Sequence, residues 1–211
     1  MTQRIYRITF LLFIVAGSIR LSAQTQSTEI GGWALATQLK SSTFEDEISD
    51  AHLKFDEDNG YGISINQFWT ERWSTELAVQ TFGAGLLVST DIVPDREYDA
   101  GEIDVTSITA MAQWHFNRAG RFAPYIGGGI AHLSGELTVE VDDVLEDPST
   151  DLEAEIAFAA AIGANIRLTD RLFLATELKY TPWSAVAADD VDGEGFDVNP
   201  LVLGVGLKAR F

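Results

Sequence analysis

Residues 156–166 read Ile-Ala-Phe-Ala-Ala-Ala-Ile-Gly-Ala-Asn-Ile, and the fold turns on whether they form a helix or a strand. The alanines suit a helix. The large side chains, however, fall at Ile156, Phe158, Ile162 and Ile166, with Ala160 and Ala164 between them on the same face. Only Ala, Gly and Asn occupy the other face. That is period 2, and it predicts a strand.

The same alternation recurs outward from this segment. It gives candidate strands near 31–40, 60–69, 73–82, 104–116, 122–134, 155–168, 171–183 and 199–211. One face collects Trp33, Leu35, Ile63, Leu77, Val79, Ile108, Trp114, Ile126, Ile130, Phe158, Leu174, Leu203, Val205 and Leu207. The other collects Ser64, Asn66, Glu76, Gln80, Gln113, Asn165, Glu177 and Lys208. Small residues accompany them there, among them Ala34, Ala36, Gly62, Gly129, Ala157, Ala159, Gly163 and Gly206. Polar side chains sharing a face with Gly and Ala fit a narrow lumen, with a large apolar band outside it facing lipid.

Period 2 alone does not say which face is inside; the connections do. They alternate between long (41–59, 83–103, 135–154, 184–198) and short (70–72, 117–121, 169–170). The expected fold is all-β: an eight-stranded antiparallel transmembrane β-barrel with short periplasmic turns and long acidic extracellular loops. Charge agrees. The long loops and their margins hold 27 of the 32 acids, leaving only Glu29, Glu71, Glu76, Asp170 and Glu177 elsewhere. The short turns hold Arg72, Arg118, Arg121 and Arg171. Trp33, Trp69, Trp73, Trp114, Phe116 and Phe122 fall at the short-turn ends, as an aromatic girdle does.

Export is expected from the start of the chain. Arg4 and Arg7 precede an apolar run, Ile8 to Gly17, and Leu21-Ser22-Ala23 supplies a small-residue cleavage site. The reading is a signal peptide over 1–23 and a barrel over 24–211, located in the outer membrane. Removing residues 1–23 takes away three arginines and no acid, so the charge of −18 becomes −21. Such a charge argues against nucleic acid as a partner. The absence of cysteine excludes disulfide scaffolds and thiol chemistry.

The run Thr109 to Gly129, TAMAQWHFNRAGRFAPYIGGG, resembles the signature of the OmpW family of outer-membrane proteins. Trp73 to Phe82 is similar to that family's third strand. Val198 to Phe211 resembles its closing strand, whose terminal aromatic, here Phe211, the barrel-assembly machinery recognises. The resemblance implies an eight-stranded barrel that lets small hydrophobic molecules reach the membrane through an opening in its wall. The acidic loops and the lumen-face charges depart from the family pattern.

Three functional readings follow. The leading one is a conduit for small hydrophobic solutes, with Phe82, Tyr125 and Leu133 along the path and sideways release into lipid. Lumen charges at Glu76, Arg167, Glu177, Lys179, Lys208 and Arg210 would oppose straight passage of an apolar molecule. These charges are expected to pair across strands, Lys208 with Glu177. The second reading is a structural or interaction barrel with a filled lumen and working loops. The third is a lipid A hydrolase built on His132, Ser134 and Glu146; it lacks the neighbouring Asn and Gly of those enzymes, so no enzyme is expected. The acid runs at Asp142-Asp143, Glu146-Asp147 and Asp189–Glu194 read as solvated loops, with divalent cations bridging to lipopolysaccharide as the alternative. Neither a resident metal nor a cofactor is expected. The partners are outer-membrane lipid, lipopolysaccharide and the assembly machinery.

Overall fold

The computed structural model describes residues 27–38, 42–45, 50–55, 58–90, 97–139, 149–185 and 196–211. The expected signal peptide over 1–23, Glu146, Asp142-Asp143 and Asp189–Glu194 lie outside them. The described strands are β1 (Thr28–Gln38), β2 (Ser42–Glu45), β3 (Asp50–Phe55), β4 (Asp58–Phe68), β5 (Trp73–Thr90) and β6 (Glu97–His115). They continue as β7 (Phe122–Val139), β8 (Ser149–Arg167), β9 (Leu172–Tyr180), β10 (Ser184–Ala185), β11 (Phe196–Asp197) and β12 (Leu201–Arg210).

Eight of these, β1, β4, β5, β6, β7, β8, β9 and β12, form an antiparallel ring in chain order. The ring closes where β12 pairs with β1, from Glu29 opposite Arg210 to Gln38 opposite Leu201. Where all eight strands pair, closure leaves no sheet edge, so backbone groups there are satisfied inside the wall, as a hydrocarbon surrounding demands. Above Ala160, β8 runs on beyond its pairing with β9. The short turns are set locally. Thr70 Oγ1 accepts from the Arg72 and Trp73 amides, and Thr169 Oγ1 accepts from those of Arg171 and Leu172. Such hydroxyl-to-backbone bonds hold a tight reversal without glycine.

The outward face is the apolar one. Ile63, Ile126, Ile130, Phe158, Ile162, Leu203 and Leu207 are all exposed, from 49% to 61%. In water such a surface would be untenable; in lipid it is the barrel's solvent contact. Residues 156–166 form part of β8, with Ala157, Ala159 and Ala161 turned inward.

Two expectations need correction. Strand β1 is reversed in facing: Trp33 and Leu35 are buried in the lumen, whereas Gly32, Ala34 and Ala36 face outward. Large and small residues alternate in this strand, so size leaves the phase open. Polar anchors set it instead. Glu29 pairs inside with Arg210, and the Trp33 indole N–H donates to Ser64 Oγ at 2.9 Å. The second correction concerns 83–103 and 135–154, expected as long loops. Much of both is strand: β5 runs on to Thr90, β6 starts at Glu97, β7 reaches Val139 and β8 starts at Ser149. One half of the wall therefore rises above the other, and β3 extends it by pairing with residues 86–90 of β5.

Candidate functional site

The lumen is built in three layers, because each strand contributes an inward residue at every second position.

The lowest layer, at the short-turn end, is aromatic and cationic. Arg210 donates twice to Glu29 Oε1, at 2.9 and 2.7 Å, and lies over the Phe173 ring at 4.2 Å. Arg118 stacks over Phe68 at 3.6 Å and donates to Ser27. His115 packs between Phe68 and Tyr125, its Nε2 3.0 Å from Ser74 Oγ. Arg167 donates to the Ala119 carbonyl at 2.6 Å, tying β8 to the 117–121 turn.

The middle layer carries buried ion pairs. Lys208 Nζ sits 2.9 Å from Glu76 Oε2, and Lys179 Nζ sits 3.0 Å from Glu177 Oε1 and 3.1 Å from Gln80 Oε1. Lys208 also lies over the rings of Trp33 and Tyr125. Asn66 donates to Gln113 at 2.7 Å. Every one of these polar side chains is buried, at 4% exposure or less. A charge taken out of water this completely is tolerable only when paired and hydrogen-bonded.

The upper layer, toward the long connections, is apolar. Leu35, Phe82, Ala84, Ile103, Val105, Ala131, Leu133, Leu152, Ala157, Ala159, Trp183, Val198 and Val202 form one buried cluster. Trp183 closes its top. Its backbone is held by Asn199, whose side chain accepts from the Trp183 amide at 2.9 Å, with Asn199 itself at φ 39°.

The expected path and network residues distribute across these layers. Phe82 and Leu133 lie in the upper layer, and Tyr125 stands below them. Glu76, Glu177, Lys179 and Lys208 form the middle layer; Arg167 and Arg210 lie lower, outside that network. The expected partner of Lys208 was Glu177; its partner is Glu76. Register explains this: on β9, Phe173 stands opposite Lys208, whereas Glu177 stands opposite Gly204. Glu76 reaches Lys208 from β5, across the lumen. The roles of Glu29, Trp33, His115 and Arg118 were not anticipated. Glu29 carried a usable signal, being one of only five acids outside the loops.

The wall has an irregularity beside the apolar layer. Leu133 of β7 stands opposite Glu155 of β8, but Gly135 stands opposite Leu152, so Ser134 faces two residues of β8. Such a bulge interrupts the ladder and bends the strand. A cavity of about 430 Å³ lies there, lined by Asp104, Thr106, Ser134, Glu136, Asp151, Leu152 and Ala154. Most of these face outward; Leu152 belongs to the lumen cluster. His132 is exposed on the outer face, two residues before Ser134. A second cavity, of about 310 Å³, lies at the short-turn end between Arg72, Phe116, Arg118, Arg167 and Arg210.

The family profile described as outer membrane protein beta-barrel domain matches residues 10–211. No curated protein sequence matches the chain. Among solved structures, the chain is similar to the outer membrane protein OprG from Pseudomonas aeruginosa, at 16% identity and a TM-score of 0.66, covering 90% of this chain and 98% of that one. It is similar to the outer membrane protein AlkL, solved in lipid bilayers, at 15% identity and a TM-score of 0.59, covering 91% and 93%. Neisserial surface protein A aligns at 14% identity and a TM-score of 0.58, covering 89% and 100%. At these identities the likeness speaks for the fold. The expected resemblance to outer-membrane eight-stranded barrels of the OmpW kind stands with these matches.

Proposed function

The chain belongs to the outer membrane protein beta-barrel domain family, an eight-stranded barrel of the outer membrane, and on that premise we propose that it passes small hydrophobic molecules from the cell surface into the membrane. Such a molecule enters at the long-connection end and moves within the apolar upper layer past Phe82 and Leu133. It stops above Tyr125, because the Glu76–Lys208 and Glu177–Lys179 pairs below cannot exchange their partners for an apolar solute. It leaves sideways at the β7–β8 bulge.

One observation carries this reading: Leu152 lines both the lumen cluster and the wall cavity at the bulge. The upper layer is packed, so passage requires side chains there to move aside. The test is uptake of a small apolar probe by a deletion strain, with and without the gene restored. Restoration should raise uptake, Leu133→Ala should raise it further, and Ala159→Trp should abolish it in protein that still assembles. Equal uptake in all strains would overturn the proposal.

A second reading rests on a different fact. Phe82, Tyr125 and Leu133 are each 2% exposed or less. A lumen filled in this way also suits a barrel whose work is done by its loops, and equal uptake in all strains is what that reading expects.

A further inference from the structure

The cavity of about 310 Å³ at the short-turn end differs in chemistry from everything above it. In a chain of net charge −18, this end gathers Arg72, Arg118, Arg121, Arg167, Arg171 and Arg210. Opposing them are Glu29, Glu71 and Asp170. Glu29 is committed to Arg210. Glu71 lines the cavity with Arg72, Arg118, Arg167 and Arg210, so with Arg210 already paired to Glu29, three further cations share its walls with one acid.

Three further facts bear on an occupant. Among the described residues, Arg118 Nε and Arg167 Nε have no hydrogen-bond acceptor. Burial and the neighbouring Arg210 guanidinium push Arg118 below its ordinary pKa, as happens where cations crowd with few anions. Finally, Phe116 lines the same cavity while standing 56% exposed on the outer face, near the exposed Trp73 and Phe122. Aromatic side chains of such a girdle lie at headgroup level. The cavity therefore opens where phospholipid phosphates lie.

We propose that Arg72, Arg118, Arg167 and Arg210 form a phosphate-binding pocket at the periplasmic end of the barrel, with Phe116 at its lipid-side rim. Guanidinium forks match phosphate oxygens through paired, charge-assisted hydrogen bonds. The ligand is the phosphate of a phospholipid in the inner leaflet, its chains against Phe116. Inorganic phosphate shares the same chemistry and differs only in lacking the chains.

The experiment is native mass spectrometry of the folded full-length barrel, released from micelles holding equal amounts of phosphatidylglycerol and a phosphate-free galactolipid. The protein should retain phosphatidylglycerol selectively. Arg118→Gln and Arg72→Gln should each cut that selectivity about ten-fold, the effect of one lost charge-assisted contact. Arg72 is exposed, so its variant keeps the test open if Arg118→Gln fails to assemble. Arg121→Gln, in the same turn but outside the cavity, should retain wild-type selectivity. Millimolar inorganic phosphate tests the source. Failure to compete supports the lipid; displacement supports the pocket with a soluble anion as occupant. Equal retention of the two lipids, or equal loss in Arg121→Gln, would overturn the pocket.

Discussion

Tyr125 donates a hydrogen bond to Glu177 at 2.8 Å by crossing the strand that lies between them. Gly163 of β8 stands opposite Tyr125 of β7 on one side and opposite Glu177 of β9 on the other. A side chain at 163 would run into the tyrosine ring. The glycine thus lets an aromatic ring lie flat along the inner wall, where it joins the base of the apolar layer to the ion pairs beneath.

Gly163→Val should therefore destabilise the barrel by ~1–3 kcal/mol, the usual range for overpacking. The added branch displaces Tyr125 and leaves Glu177 with Lys179 alone. Denaturant unfolding of the detergent-folded protein, followed by heat-modifiable gel migration, reads the change. A variant as stable as the parent would show that the ring moves freely.

Breaking the Glu76–Lys208 pair from one side should cost more. Either Glu76→Ala or Lys208→Ala strands a buried charge, for which ~3–5 kcal/mol is typical. Glu76→Met/Lys208→Met removes both charges and should recover most of that loss. A double-mutant cycle by denaturant unfolding gives the coupling. Additive single effects would mean that the two residues do not depend on each other.

Orientation has its own test, helped by the absence of native cysteine. Single cysteines at Glu136 and Asp151 should react with a membrane-impermeant maleimide in intact cells. One at Ala119, in the 117–121 turn, should react only after lysis. The opposite pattern would invert the barrel.

The ring of eight strands was legible because two independent signals agreed: period 2 in the strands and alternating connection length. Facing was legible wherever polar or charged residues shared a phase, as at Ser64, Asn66, Glu76 and Gln80. It failed in β1, where Trp-Ala-Leu-Ala alternates size without polarity and only Glu29 marks the inside. Strand ends were hidden for another reason. At the upper margin of the lipid-facing band, Glu102, Asp104, Glu136 and Asp151 replace apolar residues on the outer face, so the strand continues while its hydrophobic pattern stops. The charged residues were readable as a set, but their partners were not. Lys208 meets Glu76 across the lumen, and barrel curvature is invisible to an argument from neighbouring strands.

Sideways release at the β7–β8 bulge is the central claim, and Ala154 is the position that tests it most directly. Ala154 is exposed, lines the wall cavity and is absent from the lumen cluster. Ala154→Trp therefore fills the exit without touching the packed interior. The measurement is the rate of apolar-probe uptake by cells carrying this variant at wild-type surface levels. The account predicts uptake no higher than in the deletion strain; uptake at the wild-type rate would contradict release at this site.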